Sequence, residues 1–165
     1  MRIDVDKIAS AARHVVRHPR VVVGSEIPAC AGTVVVGRVL DEKTSYNQLE
    51  DAAGRMRTVH RGDVVVGVLG AREALRGYSG VVPDEVRPGD ILHLLNLGGV
   101  IGRCTSANPE VGAPNRVEIL GSVLAFPDAS DRGAAVPASI VPGPVALADH
   151  LGPLPPLVLL AGTCM

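Results

Sequence analysis

The sequence predicts a mainly β protein: a small β-barrel of short strands, with an N-terminal helix and a proline-rich C-terminal tail. Hydrophobic residues make up 47% of the 165 residues but aromatic residues only 2%, so the core must be built from Val, Leu, Ile and Ala. Many of these side chains are β-branched and suit a pleated surface. The apolar runs are short and bounded by Gly, Pro, Asn or Asp, which is typical of strands in a barrel or sandwich.

Composition divides the chain into four segments. Residues 1–19 carry apolar residues at helical spacing and end at a proline, which predicts a helix over residues 4–18. Residues 20–126 form the β-barrel domain. Residues 127–156 hold seven of the 13 prolines, and because proline lacks a backbone donor we expect an extended linker there. Residues 157–165 are predicted to form an apolar strand.

Within the barrel domain the apolar runs predict seven strands, at residues 21–23, 33–40, 56–60, 64–69, 91–95, 100–104 and 117–124. Two short helices are predicted between them, at residues 46–53 and 71–76.

A weak internal repeat runs through this domain. Residues 59–65 read Val-His-Arg-Gly-Asp-Val-Val, and residues 86–92 read Val-Arg-Pro-Gly-Asp-Ile-Leu. A second similarity joins residues 35–38 to residues 100–103. The repeat suggests a barrel of two similar halves, although Gly-Asp is also an ordinary turn pair.

Charge and cysteine content indicate which classes of binding partner and which cellular compartment to expect. The formal net charge is -1 with no long run of one sign, which argues against nucleic acid binding. The first ten residues contain four charged side chains, and the apolar run at 157–160 is too short to span a bilayer, so no membrane segment is expected. Three cysteines without a CxxC pair indicate reduced thiols in a cytoplasmic protein.

We expect no metal site and no cofactor in this chain. His14 and His18 are spaced to share one face of the predicted helix, but no third ligand is nearby in sequence. A histidine at a helix end that interacts with the helix dipole is the preferred interpretation.

The C-terminal residues 157–165, Leu-Val-Leu-Leu-Ala-Gly-Thr-Cys-Met, form an apolar run that leads into Ala-Gly-Thr. This pattern resembles the first strand and phosphate-binding loop of P-loop enzymes of the dethiobiotin synthetase kind, with Gly162 as the first glycine of G-x-x-x-x-G-K-[ST]. The resemblance implies the N-terminal part of a longer P-loop NTPase, with its P-loop domain C-terminal to this chain. The motif's second glycine, lysine and hydroxyl residue would follow Met165. The alternative is a tail strand that pairs with the domain.

A looser resemblance supports the barrel. Residues 32–39, Gly-Thr-Val-Val-Val-Gly-Arg-Val, and residues 59–66 around the Gly-Asp turn are similar to the β-barrel domain that follows the GTPase domain in translation factors. Residues 41–55 are inserted between the two motifs here, and the barrel precedes the possible P-loop. The resemblance therefore implies a barrel and not ribosome binding.

Two glycine-rich loops, at residues 70–80 and 96–108, carry the candidate ligand-binding residues. Their donors predict a pocket for a small anionic ligand, and the alternative is two turns with solvated arginines. The candidates are Arg72, Arg76, Tyr78, Asn96, Arg103, Thr105, Ser106 and Asn108. Nearby, His93 is interpreted as a lumen or core histidine, and Cys104 as a structural cysteine or, less favoured, a reactive thiol.

Three functions follow from these features. The preferred one is a non-catalytic, ligand-binding or regulatory β-barrel domain of a larger P-loop NTPase. The second is a stand-alone small enzyme acting on a small anionic substrate, and the third is a structural module that assembles as a homo-oligomer.

Overall fold

A computed structural model describes residues 1–126 and 135–141 and confirms the mainly β class. No helix of seven residues or more occurs in these two ranges. The strands are β1 (Arg2–Asp4), β2 (Lys7–Ile8), β3 (Arg20–Gly24), β4 (Val34–Val39), β5 (Gln48–Glu50), β6 (Met56–Thr58), β7 (Val64–Leu69), β8 (Tyr78–Val81), β9 (Ile91–Leu94), β10 (Val100–Ala107), β11 (Arg116–Ala125) and β12 (Val136–Pro137). Two 3₁₀ turns lie at Ser10–Ala12 and Pro109–Val111.

Backbone pairing joins five of these strands in a ring. β4 pairs with β7, β7 with β10, β10 with β9, β9 with β11, and β11 with β4, all antiparallel except β7 with β10. One face of these strands carries a buried cluster, the first core, which includes Val35, Leu69, Leu92, Ile101 and Val117. Aliphatic side chains fill this core, as the low aromatic content requires.

The opposite face of β4 and β7 carries a second core. Val34, Val36, Val66 and Val68 pack there against β3 and the N-terminal segment. Successive residues of a strand point to opposite faces. A continuous valine run such as that of β4 therefore supplies both cores.

Because of a bulge, β11 contributes buried side chains first to one core and then to the other. The register of β11 against β4 shifts between Ile119 and Gly121. Ile119 faces the first core, whereas Val123, beyond the bulge, faces the second. Gly121 has a φ of +153°, and a Cβ there would lie 2.3 Å from the carbonyl oxygen of Gly24, so only glycine fits the bulge.

The predicted N-terminal helix at residues 4–18 is wrong. The N–H of Asp6 donates to the carbonyl of Val64 at 2.8 Å, and the N–H of Ala9 donates to that of Val66 at 2.9 Å. These donors pair with β7 instead of forming helical hydrogen bonds, because the edge of β7 is available to them. Four apolar residues of the segment are nevertheless buried in the two cores, namely Val5, Ala9, Ala12 and Val16.

All seven predicted strands are present, but both predicted internal helices are wrong. In place of the helix at 46–53, β5 pairs with β6 as a hairpin, and Leu49 is 1% exposed. In place of the helix at 71–76, Arg72 exchanges two backbone hydrogen bonds of 2.9 Å with Gly80. Backbone partners outside each segment decide its conformation, and the helical spacing of side chains does not reveal those partners.

The Gly-Asp repeat forms two matching turns, which we call the twin turns (residues 60–63 and 87–90). The carboxylate of Asp63 accepts from the N–H of His60 at 2.7 Å, and that of Asp90 accepts from the N–H of Arg87 at the same distance. The glycine before each aspartate has a φ of +94° or +93°. The sequence repeat is therefore also a repeat of local structure.

The twin turns dock on two strands that pair with each other. The N–H of Gly62 donates to the carbonyl of Val39 at the end of β4, and the N–H of Gly89 donates to that of Ile119 in β11, at 2.8 and 2.7 Å. Each turn thus starts a strand, β7 or β9, that runs antiparallel to the strand on which the turn rests.

Residues 135–141 lie in the sheet. β12 pairs with β11, and Ala138 is 2% exposed in the second core. The rest of the predicted linker and the P-loop-like residues 157–165 fall outside the described residues. Within the part of the chain that the structure covers, no helix has the length and apolar character needed to cross a membrane.

Candidate functional site

The predicted loop residues lie in different environments. The guanidinium of Arg72 donates to the carbonyl of Leu95. Gly77 packs against the same guanidinium, since a Cβ on Gly77 would lie 3.0 Å from Nη2 of Arg72. These contacts indicate that Arg72 holds the segment at 71–76 against the edge of the sheet. Arg72 and Thr105 nevertheless line one cavity of about 580 Å³, together with Ser79.

The other candidates do not join that cavity. Asn96 accepts from the N–H of Val100 at 2.9 Å in the turn between β9 and β10, and Asn108 caps the second 3₁₀ turn. Tyr78 is buried with its hydroxyl pointing to a different loop. Arg76, Arg103 and Ser106 are exposed.

A cavity of about 270 Å³ brings together four ionisable side chains where the loops at 41–47 and 109–115 meet β9. We call it the lysine–histidine cavity. Its lining residues are Asp41, Lys43, His93, Ala113, Pro114 and Arg116. Perturbed ionisable groups that converge in a concave site are the usual physical mark of a functional site.

Strand pairing positions two of these side chains. Arg116 of β11 lies opposite His93 of β9, so both point to the same face of the sheet. Their neighbours Leu92 and Val117 point the other way, into the first core. The buried side chains therefore fix the register that places the polar ones together.

Asp41 and Arg116 form a multiply bonded pair. The carboxylate of Asp41 accepts from the backbone N–H of Arg116 at 2.9 Å and from its Nη2 at 2.8 Å. Hydrogen bonds from the guanidinium lower the pKa of Asp41, and those to the carboxylate raise the pKa of Arg116. Both groups stay charged near neutral pH.

Lys43 contacts neutral oxygens. Its Nζ donates to the hydroxyl of Tyr78 at 2.5 Å and to the carbonyl of Val111 at 3.2 Å. Nζ lies 5.0 Å from the centre of the Tyr78 ring, so its main contact is with the phenol oxygen. Burial lowers the pKa of Lys43, against the opposing effect of Asp41. Burial likewise raises the pKa of Tyr78.

His93 is held as a neutral imidazole. Its Nδ1 accepts from the backbone N–H of Cys104 at 3.2 Å, so the neutral ring carries its proton on Nε2. Burial lowers the pKa of His93. With His93 neutral, the one negative and two positive charges of the lining give the cavity a net charge of +1.

The side-chain amides of Asn47, at the end of the loop at 41–47, and Asn115 are both buried. Asn47 donates to the carbonyl of Val59 at 2.8 Å, and Asn115 donates to Asn47 at 3.0 Å. This chain of donors leaves the Oδ1 of Asn115, a residue 3% exposed, without a hydrogen-bond partner among the described residues. Lys43 and Asn47 line a further cavity of about 270 Å³, so Lys43 lies between two cavities.

No group of three or more potential metal ligands occurs within residues 1–126 and 135–141. Cys30 and Cys104 are free thiols, and the Sγ of Cys104 lies 3.3 Å from the carbonyl oxygen of Ser106.

Sequence reasoning missed Asp41, Lys43 and Arg116. Asp41 and Arg116 are 75 positions apart, and neither belongs to a recognisable motif. The only available signal was the insertion at residues 41–55, which interrupts the barrel pattern. No protein-family model, curated protein or solved structure matches this chain.

Proposed function

We propose that this chain is a ligand-binding β-barrel domain that takes a small anionic ligand in the lysine–histidine cavity and acts, without catalysis of its own, within a larger P-loop NTPase. The observation that carries the ligand site is the net positive cavity in which Lys43 has only neutral oxygens as hydrogen-bond partners among the described residues. An ammonium group whose hydrogen-bond partners are all neutral favours an anionic ligand.

The barrel is supported by the ring of five paired strands around the first core. A closed sheet leaves no free edge within the ring. The lysine–histidine cavity lies on the face of β9 and β11 opposite the first core, so a ligand there does not compete with the packing of the ring.

The place in a larger NTPase is supported by residues 157–165 alone. Phosphoryl transfer needs the lysine and the magnesium ligand of a P-loop domain, and the proposed role of the β domain beside it is to bind a ligand and regulate. We expect the reading frame to continue, after one further residue, with Gly-Lys-Thr or Gly-Lys-Ser, and sequencing of the encoding gene tests this. Cytoplasmic location and homo-oligomer formation stay predictions, the second checked by light scattering.

Replacement of Lys43 by methionine tests the ligand site. We expect acetate, phosphate or sulfate to raise the melting temperature of the unaltered protein. Lys43→Met should weaken the binding of the best of these anions by about tenfold or more, equivalent to about 1.4 kcal/mol, because a charged hydrogen-bond donor is lost. Isothermal calorimetry measures the change.

Arg76→Met is the matched control, because it also removes one positive charge but at an exposed position outside the cavity. It should leave anion binding unchanged. If Arg76→Met or Arg103→Met abolished binding and Lys43→Met did not, the ligand site would lie in the glycine-rich loops instead.

A further inference from the structure

The chain contains only two lysines beside 14 arginines, and the two lysines differ in their surroundings. Lys7 pairs with the carboxylate of Asp63 at 2.5 Å, and both side chains are 14% exposed. Lys43 has neutral hydrogen-bond partners and lines open cavities. An amine that is partly desolvated and makes no hydrogen bond to a carboxylate is the form in which lysine becomes a nucleophile.

The contacts of Lys43 leave its lone pair free. The hydroxyl of Tyr78 donates to the carbonyl of Val111 at 3.2 Å, so the phenol oxygen accepts from Nζ. When the Lys43 ammonium releases one proton to solvent, the amine that forms has two N–H bonds, and the two oxygens take both. The nitrogen lone pair then points away from both acceptors and is available to an electrophile.

We infer that Lys43 captures the carbonyl group of a small oxo acid as an imine in the lysine–histidine cavity. The inference rests on the proposed function, because it names the class of anion that the cavity binds. A volume of about 270 Å³ suits a molecule of a few carbon atoms. Asp41 occupies Nε and Nη2 of Arg116, which leaves the Nη1 group for the carboxylate of the oxo acid.

The capture step balances without a further reactant. Nζ attacks the carbonyl carbon, and a C–N bond forms as one amine proton moves to the oxygen. The C–O bond of this carbinolamine then breaks. The oxygen leaves as water with both hydrogen atoms that the neutral amine carried, and a C=N bond remains. The Nε2–H of the neutral His93 lies in the same cavity and can donate a hydrogen bond to the carbonyl oxygen, which polarises the carbonyl group for attack without transfer of the histidine proton.

Reductive trapping tests the inference on the unaltered protein. Glyoxylate is added with sodium cyanoborohydride, and the adduct is located by peptide mass spectrometry. The chain offers three amines, Lys7, Lys43 and the α-amino group of Met1, which the mapping separates. We expect Lys43 to be labelled faster than Lys7 by about an order of magnitude, because Lys7 is paired with the carboxylate of Asp63 whereas Lys43 has neutral hydrogen-bond partners. Equal labelling of the two lysines, or labelling at Met1 alone, overturns the inference.

Lys43→Arg separates covalent capture from anion binding. Arginine keeps the positive charge but stays protonated, so it does not form an imine. The variant should still bind acetate, while the cavity adduct disappears; Lys7→Arg should leave the adduct unchanged. If wild-type protein binds acetate but glyoxylate leaves no adduct on Lys43, the imine is wrong and the anion site stands. If acetate does not bind, the proposed function fails as well.

Discussion

At the scale of single residues, the protonation state of His93 is set by the groups around it. His93 has its Nδ1 taken by a backbone N–H and lies near Asp41, Lys43 and Arg116. Burial, with a smaller contribution from Arg116, lowers the pKa of His93, and a contact with the backbone of Gly102 and the charge of Asp41 oppose this. The imidazole therefore resists protonation in the folded state.

This environment predicts a pH dependence of stability. In the unfolded chain His93 takes up a proton as the pH falls below about 6.5, whereas in the folded chain it does so only at lower pH. The unfolded state thus binds more protons in this window, and the free energy of unfolding falls on acidification until the folded pKa is passed. Urea unfolding at several pH values measures the effect.

His93→Asn is the matched variant, since its Oδ1 can accept from Cys104 but does not titrate. We expect it to show a shallower loss of stability below about pH 6.5 than the unaltered protein. Identical pH profiles for the two proteins would mean that His93 does not contribute.

At the scale of elements, the twin turns show one local sequence used twice with different consequences. Both aspartates accept a hydrogen bond from the N–H three residues earlier. Only Asp63 also pairs with a lysine, Lys7. That lysine belongs to β2, which pairs with β7, so the first turn holds the N-terminal segment as well as its own strand.

Alanine substitution should separate these two tasks. Asp90→Ala is expected to lower the free energy of unfolding by about 1 kcal/mol through the loss of one turn hydrogen bond. Asp63→Ala should cost about 3 kcal/mol, because it also leaves a largely buried ammonium without its partner. Chemical denaturation measures both values.

A double variant checks the cause. Adding Lys7→Met to Asp63→Ala removes the unpaired charge, so part of the lost stability should return. Equal costs for Asp63→Ala and Asp90→Ala would show that the ion pair contributes nothing.

At the scale of the whole molecule, two cores share the same strands. Val35 faces the first core and Val36 the second, and both are fully buried. β4, β7 and β11 have residues in both clusters. Neither core can lose its packing without disturbing the backbone on which the other depends.

We therefore expect a single cooperative unfolding transition. Val35→Ala and Val36→Ala should each lower the free energy of unfolding by about 2 kcal/mol, with coincident transitions by circular dichroism and tyrosine fluorescence. Val81→Ala, at a position 39% exposed, is the control and should change stability by less than about 0.5 kcal/mol. Two separate transitions in either core variant would contradict the shared-strand account.

The sequence by itself determined the class of the protein, seven of the twelve strands that the structure describes, and the twin turns. Each of these depends on neighbours along the chain. A valine run favours a strand whatever it packs against, and a glycine before an aspartate allows the positive φ of the turn.

Only the tertiary structure decided the backbone conformation of residues 4–18 and which residues line the lysine–histidine cavity. The N-terminal segment buries its apolar residues as a helix would, but its backbone donors reach acceptors in β7. Asp41 and Arg116 meet only because the ring of strands brings β11 beside the loop at 41–47. Such contacts form between residues far apart in sequence, and no local pattern of side chains specifies them.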